Sequence, residues 1–221
     1  MIRRVKMKLS ENTVNILKNF STINQNILVK EGSGLRTMST MKNILGEAGI
    51  AETFPRDFGI YDLNEFLGVL SLVKDAELEF GDSYLTVRGG KTQIKYFYSD
   101  PSILTTPPET FNAPGCDVSF KISQTVLSNV LKASAVMQLP DVVITPGKIT
   151  ATDLKNVTSN NFTEELDAPA SDAPNFEFRF KADNLKMIPG DYTISASTEA
   201  GVSNWYGQET NYWIAMEAQS E

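Results

Sequence analysis

The chain has 221 residues, 41% hydrophobic and 21% charged, enough apolar content for one large domain or two small ones. It has no histidine, which removes imidazole-based catalysis and metal binding, and one cysteine, Cys116, which removes an internal disulfide and fits a reducing compartment. The net charge of −7 argues against a chain that binds nucleic acid over its whole surface. No run is apolar enough to span a membrane, and the basic start at Arg3 and Arg4 has no apolar stretch behind it, so no secretory signal is expected.

Residues 1–9 are basic and roughly alternating, which predicts an edge-like strand. Ser10 is a good N-cap for a first helix, with Thr13, Ile16, Leu17 and Phe20 on its inner stripe and Glu11, Asn12, Asn15, Lys18 and Asn19 outside. Residues 27–30 and 35–39, joined by the Gly-containing stretch 31–34, predict a hairpin. Residues 44–54 predict a strand that bends at its glycines and stops at Pro55. Asp62 then caps a second helix, Glu65 is placed to close a capping box, and Leu63, Phe66, Leu67 and Leu70 form its apolar stripe. Three strands follow: residues 76–80, the turn Gly81-Asp82, residues 83–88, and residues 91–98, the last a plausible open edge.

Residues 99–115 hold four of the ten prolines and read as an extended connector between a domain at 1–98 and another at 116–221. Past it the pattern restarts. Residues 118–122 predict a strand and Ser123 an N-cap, with Leu127, Val130, Leu131 and Ser134 as the stripe. Residues 142–144 and 148–150 flank the turn Pro146-Gly147. Residues 163–174 read as an acidic loop. Residues 176–180 alternate as a strand, Asp183 caps a short fourth helix through Leu185 and Ile188, and Pro189-Gly190 stops it before three closing strands. The four caps are spaced by 52, 61 and 60 residues. Such a repeat predicts an α+β protein of two similar domains, each with two strand–helix–meander units and the helices on one side.

Charge is segregated along the chain. Residues 1–20 sum to +4, residues 121–135 to +2 and residues 179–188 to +2, leaving −15 for the rest. Helices sharing one side would make that side attractive to a polyanion.

Several short blocks carry a family resemblance: Met7-Lys8-Leu9-Ser10, Leu17-Lys18-Asn19-Phe20, Ile60-Tyr61-Asp62-Leu63-Asn64, Phe66-Leu67-Gly68 and Leu70-Ser71-Leu72-Val73. Asp100-Pro101-Ser102, Gly147-Lys148-Ile149, Lys186-Met187 and Pro189-Gly190-Asp191-Tyr192 continue the collinear set. In these blocks the chain resembles the sliding clamps, the DNA polymerase processivity factors, most closely those of T-even-like bacteriophages. The resemblance implies a non-catalytic homotrimeric ring around duplex DNA, helices lining the hole, in the cytoplasm of an infected bacterium. It implies an ATP-dependent clamp loader and DNA polymerase as partners, and no cofactor. Its channel lysines map onto Lys18, Lys121, Lys132 and Lys186. Two departures stand out. Residues 2–6 are either an added basic strand or lie upstream of a true start at Met7, and Glu11 sits where a basic lining favours lysine.

Other motifs have plainer readings. Gly89-Gly90-Lys91-Thr92 lacks both the upstream glycine and the following helix of a phosphate-binding loop, and reads as a hairpin turn. Asp62 and Glu65 suit a cap better than a catalytic pair, Glu164, Glu165 and Asp167 a solvated loop better than a cation site, and Cys116 has no base to activate it. Ile103, Leu104, Pro107 and Pro108 either strap the connector to its own domain or wall a groove for partner peptides. A β-rich virion protein and a carboxylate enzyme are the alternatives to a clamp.

Overall fold

The computed structural model describes residues 6–166 and 175–218. The chain divides into two compact units, Met1–Glu109 and Thr110–Glu221.

In the first unit β1 (Lys6–Met7) leads into α1 (Glu11–Ile23), followed by β2 (Ile27–Val29), β3 (Gly32–Met38) and β4 (Ile44–Phe54). Then come β5 (Phe58–Ile60), α2 (Leu63–Ser71), β6 (Glu77–Phe80), β7 (Tyr84–Gly89) and β8 (Thr92–Phe97). The second unit runs β9 (Val118–Ile122), α3 (Gln124–Met137), β10 (Asp141–Thr145), β11 (Lys148–Thr152), β12 (Phe162–Glu165) and β13 (Phe178–Lys181). It closes with β14 (Tyr192–Ser197), β15 (Val202–Tyr206) and β16 (Thr210–Ala215).

Each unit is built from two halves that exchange their first strands. In the first unit β1 pairs with β6 and β5 with β2. In the second, β9 pairs with β14 and β13 with β10. All these pairs are antiparallel; β1, β9 and β13 each extend the other half's meander, while β5 and β2 form a two-stranded sheet of their own.

Three α-helices are present among the described residues, with the predicted caps. The Ser10 hydroxyl accepts from the Thr13 N–H, Asp62 from the Asn64 and Glu65 N–H groups, and Ser123 from the Val126 N–H. Ile16, Leu17, Phe20, Leu63, Phe66, Leu127 and Val130 are buried, as their spacing requires. α1 and α2 pack together, and α3 packs on β10, β11 and β12.

The fourth predicted helix is absent. Ala182–Asn184 makes only a 3-10 turn that starts after Lys181, with Asp183 inside it rather than capping it. Seven residues separate β13 from Pro189, and Pro189 biases Ile188 away from the helical region. Two tyrosines replace the missing helical bonds: the Ile188 N–H donates to the Tyr212 hydroxyl, and the Tyr192 hydroxyl donates to the Ile188 carbonyl. Burial, the largest cause, pushes both phenols up, so they stay neutral.

Three further expectations change. β2 does not form a hairpin with β3; it pairs with β5, and the glycines of the expected turn lie in β3, where the register shifts between Gly32 and Gly34. Phe80 pairs with Leu85 and the Gly81 N–H donates to the Tyr84 carbonyl at 2.8 Å, so the turn is Asp82-Ser83. Part of the predicted acidic loop is strand β12, and residues 167–174 lie outside the described residues. The turn Pro146-Gly147 is as expected, with Gly147 at φ 79°, which suits a type II turn.

The start of α1 is held by a residue that its local sequence does not reveal. Glu52, on β4, accepts hydrogen bonds from the Ser10 N–H and from the Thr13 hydroxyl, the latter at 2.6 Å. Burial opposes ionisation of this carboxyl, but the Thr13 and Ser10 bonds together outweigh it and hold the group below its ordinary value of 4.5. A lowered carboxyl stabilises the fold fully above its unfolded value and loses that contribution as pH falls through the folded one. Glu52→Gln is therefore expected to lower stability by about 1–2 kcal/mol at neutral pH, with the two proteins converging in acid. Urea midpoints at about pH 7 and about pH 3 check this; an equal gap at both would place the effect outside the carboxylate's charge.

Candidate nucleic-acid interface

The exposed faces of the helices are mostly neutral and polar. α1 presents Glu11, Asn12, Asn15 and Lys18, α2 presents Asn64, Glu65 and Ser71, and α3 presents Gln124, Thr125 and Lys132 together with the apolar Val136 and Met137 near its end. The ionised groups of the three helices are Lys18 and Lys132 against Glu11 and Glu65, so they cancel. The basic windows read from the sequence shrink for a physical reason. Lys6 pairs with Glu77 at 3.1 Å, Arg179 with Glu177 at 2.6 Å, and Lys181 with the buried Asp141. Arg3 and Arg4 lie outside the described residues. Lys18 and Lys132 stand on helices and are exposed. Lys121 stands on β9, on the exposed face opposite the buried Phe120 and Ile122, and Lys186 follows the 3-10 turn, exposed between the buried Leu185 and Met187.

The connector is not the free extended segment expected. The Ser99 N–H donates to the Gly59 carbonyl at 2.9 Å, and a Cβ on Gly59 would lie 2.6 Å from the Ser99 oxygen and 2.8 Å from Leu104. Only a glycine admits that approach. The Thr105 N–H donates to the Asn26 side chain at 2.9 Å, and Arg36 donates to the Pro108 carbonyl at 2.9 Å while pairing with Glu47. Residues 101–103 form a 3-10 turn capped by Asp100. Leu104 is buried, so it serves as the strap's anchor, whereas Ile103 is 59% exposed; Pro107 is half-buried and Pro108 exposed. Gly59, Asn26 and Arg36 gave no signal in the sequence, because each acts on residues far along the chain.

β8 and β12 are two of the strands that end their sheets among the described residues. β8 bonds only to β7 within its sheet, and β12 only to β11. On β8 the Lys95 amine sits 3.8 Å from the centre of the Tyr84 ring and 5.0 Å from that of Phe97, which is itself 62% exposed.

The family model for DNA polymerase processivity factors matches residues 8–104, and that for the C-terminal part of the gp45 sliding clamp matches residues 119–218. The sliding clamp of Vibrio phage KVP40 is 33% identical over 96% of this chain and all of its own. That of Enterobacteria phage T4 is also 33% identical, over 97% of this chain and 98% of its own. The chain belongs to the sliding-clamp family.

Solved structures agree in fold. The PCNA of A. fulgidus, seen with a FEN-1 C-terminal region, superimposes with a TM-score of 0.72 at 16% identity, over 98% of this chain and 99% of that one. A DnaN sliding clamp from Pseudomonas aeruginosa gives 0.70 at 10% identity, over 99% of this chain and 65% of that one. The virion-protein alternative receives no support from these relatives.

The clamp's remaining motifs are structural. Gly89 pairs with Thr92 across a two-residue turn in which Gly90 takes φ 56°, and β8 follows instead of a helix. Hydrogen bonds from the Glu65 N–H, first, and from Gln25 hold the Asp62 carboxyl below the usual range, as a cap requires. Tyr96, whose hydroxyl donates to the Asp62 carbonyl, is pushed up to about 12 by burial and by Glu65 and Asp62. Burial and then Asp117 raise the exposed Cys116 thiol, which keeps it protonated and unreactive. Glu164 accepts from the Asn129 amide at 2.8 Å. No group of three metal-binding side chains occurs among the described residues.

Proposed function

We propose that three copies of this chain close into a ring around duplex DNA inside an infected bacterial cell. An ATP-dependent clamp loader places the ring there, and DNA polymerase is tethered to it. The ring works without catalysis: a closed ring leaves duplex DNA only at an end or by opening. The observation that carries this reading is a pair of ladder ends with no second partner among the described residues, β8 in one unit and β12 in the other. A head-to-tail contact between β8 of one copy and β12 of the next fills both, and such a contact closes a cycle. Charge favours it, since Lys91 and Lys95 lie at β8 and Glu164 and Glu165 on β12. Sedimentation across a dilution series tests it. A species of three times 24.4 kDa is expected, and a monomer at every loading overturns the ring.

The polymerase tether is assigned to Ile103 with Pro107 and Pro108, on the connector. Exposed apolar anchors on a strapped, proline-stiffened segment lose little freedom when a peptide covers them. Ile103→Ser is expected to weaken binding of a polymerase C-terminal peptide about tenfold, which is ~1.4 kcal/mol, with the ring intact because the buried Leu104 is kept. Unchanged affinity would move the peptide site off the connector.

A further inference from the structure

The first unit's two halves are not filled alike. Counted from their N-caps, Val14 of α1 and Phe66 of α2 hold the same position, four residues in. Phe66 is buried against Tyr96 of β8, ring centres 5.3 Å apart. Val14 is smaller and only half-buried. Beside it a cavity of about 330 Å³ remains between α1, α2 and β6. Its apolar lining includes Leu9, Leu67, Leu70 and Val73, and its charged groups are Lys8, Lys18 and Asp75. Lys8 and Lys18 are exposed, whereas Leu9, Leu67 and Leu70 are half-buried and open toward the cavity.

We propose that this groove is a docking site for an acidic peptide segment of a partner protein bearing leucine or phenylalanine anchors. A volume of this size lies at the lower end of those that hold small ligands. Its lining asks for apolar side chains, and two cations against one anion ask for carboxylates beside them. A nucleic-acid strand offers phosphates but no aliphatic side chain to cover three leucines. With −7 overall, the chain offers such a peptide no general attraction over its surface. The site is separate from the connector residues assigned to polymerase. Lys18 is also assigned to DNA, so, given that reading, peptide and duplex compete, and the groove is open in rings not yet on DNA.

The test titrates the full chain with a labelled peptide of about eight residues holding two leucines, a phenylalanine and three aspartates, and with its lysine-for-aspartate counterpart. The acidic peptide is expected to bind at least about tenfold more tightly. Val14→Phe, which copies the residue at the matching position of α2, and Lys8→Glu, at an exposed position, are each expected to weaken it at least about tenfold without changing the native mass. If Val14→Phe fails to fold, Lys8→Glu decides. Equal binding of the two peptides, no binding of either, or variants that bind like the parent overturn the proposal. A short duplex that binds the parent chain but not Val14→Phe, with no peptide bound, assigns the groove to nucleic acid instead.

Discussion

Lys95→Pro is expected to break the ring into single subunits that remain folded. Gly89 pairs with Thr92 at the hairpin, and the Tyr98 N–H donates to the Ser83 carbonyl at 3.0 Å. By the alternation of an antiparallel ladder, the N–H groups of Gln93, Lys95 and Phe97 therefore point to the open edge. Proline at 95 removes one outward donor and sets its ring against the incoming strand, yet keeps every bond to β7. A lost hydrogen bond costs about 1–1.5 kcal/mol net. The same contact recurs three times in a closed ring, so the assembly loses about 3–4.5 kcal/mol, a drop of at least a hundredfold. Sedimentation at a concentration where the parent is trimeric reads this directly, and primer extension should become distributive. Lys95→Ala is the control: it loses the amine over Tyr84 and Phe97 but keeps the N–H, and should stay trimeric. A stable Lys95→Pro trimer would remove β8 from the contact.

Reversing Lys132 and Lys186 together is expected to give the second large effect, this time on DNA. The helices carry as many carboxylates as amines, so in the proposed ring their faces have little positive charge to spare. Each lysine that meets a phosphate contributes about 0.9 to the slope of log affinity against log salt. The ring repeats the two positions three times, so the Lys132→Glu, Lys186→Glu ring should lose affinity at least about a hundredfold at low salt and flatten its salt dependence. Retention on nicked circular DNA after loading, followed across salt, measures both. The native mass should not change. Normal processive synthesis at every salt would make these lysines ordinary surface groups. Contacts of this kind read no bases, as sliding requires.

What was legible in the sequence was local. Ser10, Asp62 and Ser123 bond to N–H groups two or three residues ahead, so their caps can be read from spacing alone. The failures came from partners far along the chain. Asp183 has the chemistry of a cap, but Ile188 is served by Tyr192 and Tyr212, and Pro189 cuts the run short. β2 looks like half of a hairpin until β5 takes it, with Ile27 against Ile60. The charge windows could not show that Lys6 is spent on Glu77 or Lys181 on Asp141. Leu104 could be read either as a strap or as a groove wall, because nothing near it announces the bare backbone of Gly59. The candidate interface was legible only as residue types; which lysines stand on helices and which connector side chain faces outward are tertiary facts.

The exchange of opening strands bears on how such a domain arose. A chain holding one half alone would have an initial strand with no ladder of its own to join, and a meander lacking its outer member. Two identical copies cure both defects by trading strands, which is domain swapping between twins. Joining the twins end to end in one gene converts an association that dilution can undo into one that it cannot. The reciprocal pairings β1 with β6 and β5 with β2 are the handshake that joining two such half-sized twins would leave inside one polypeptide.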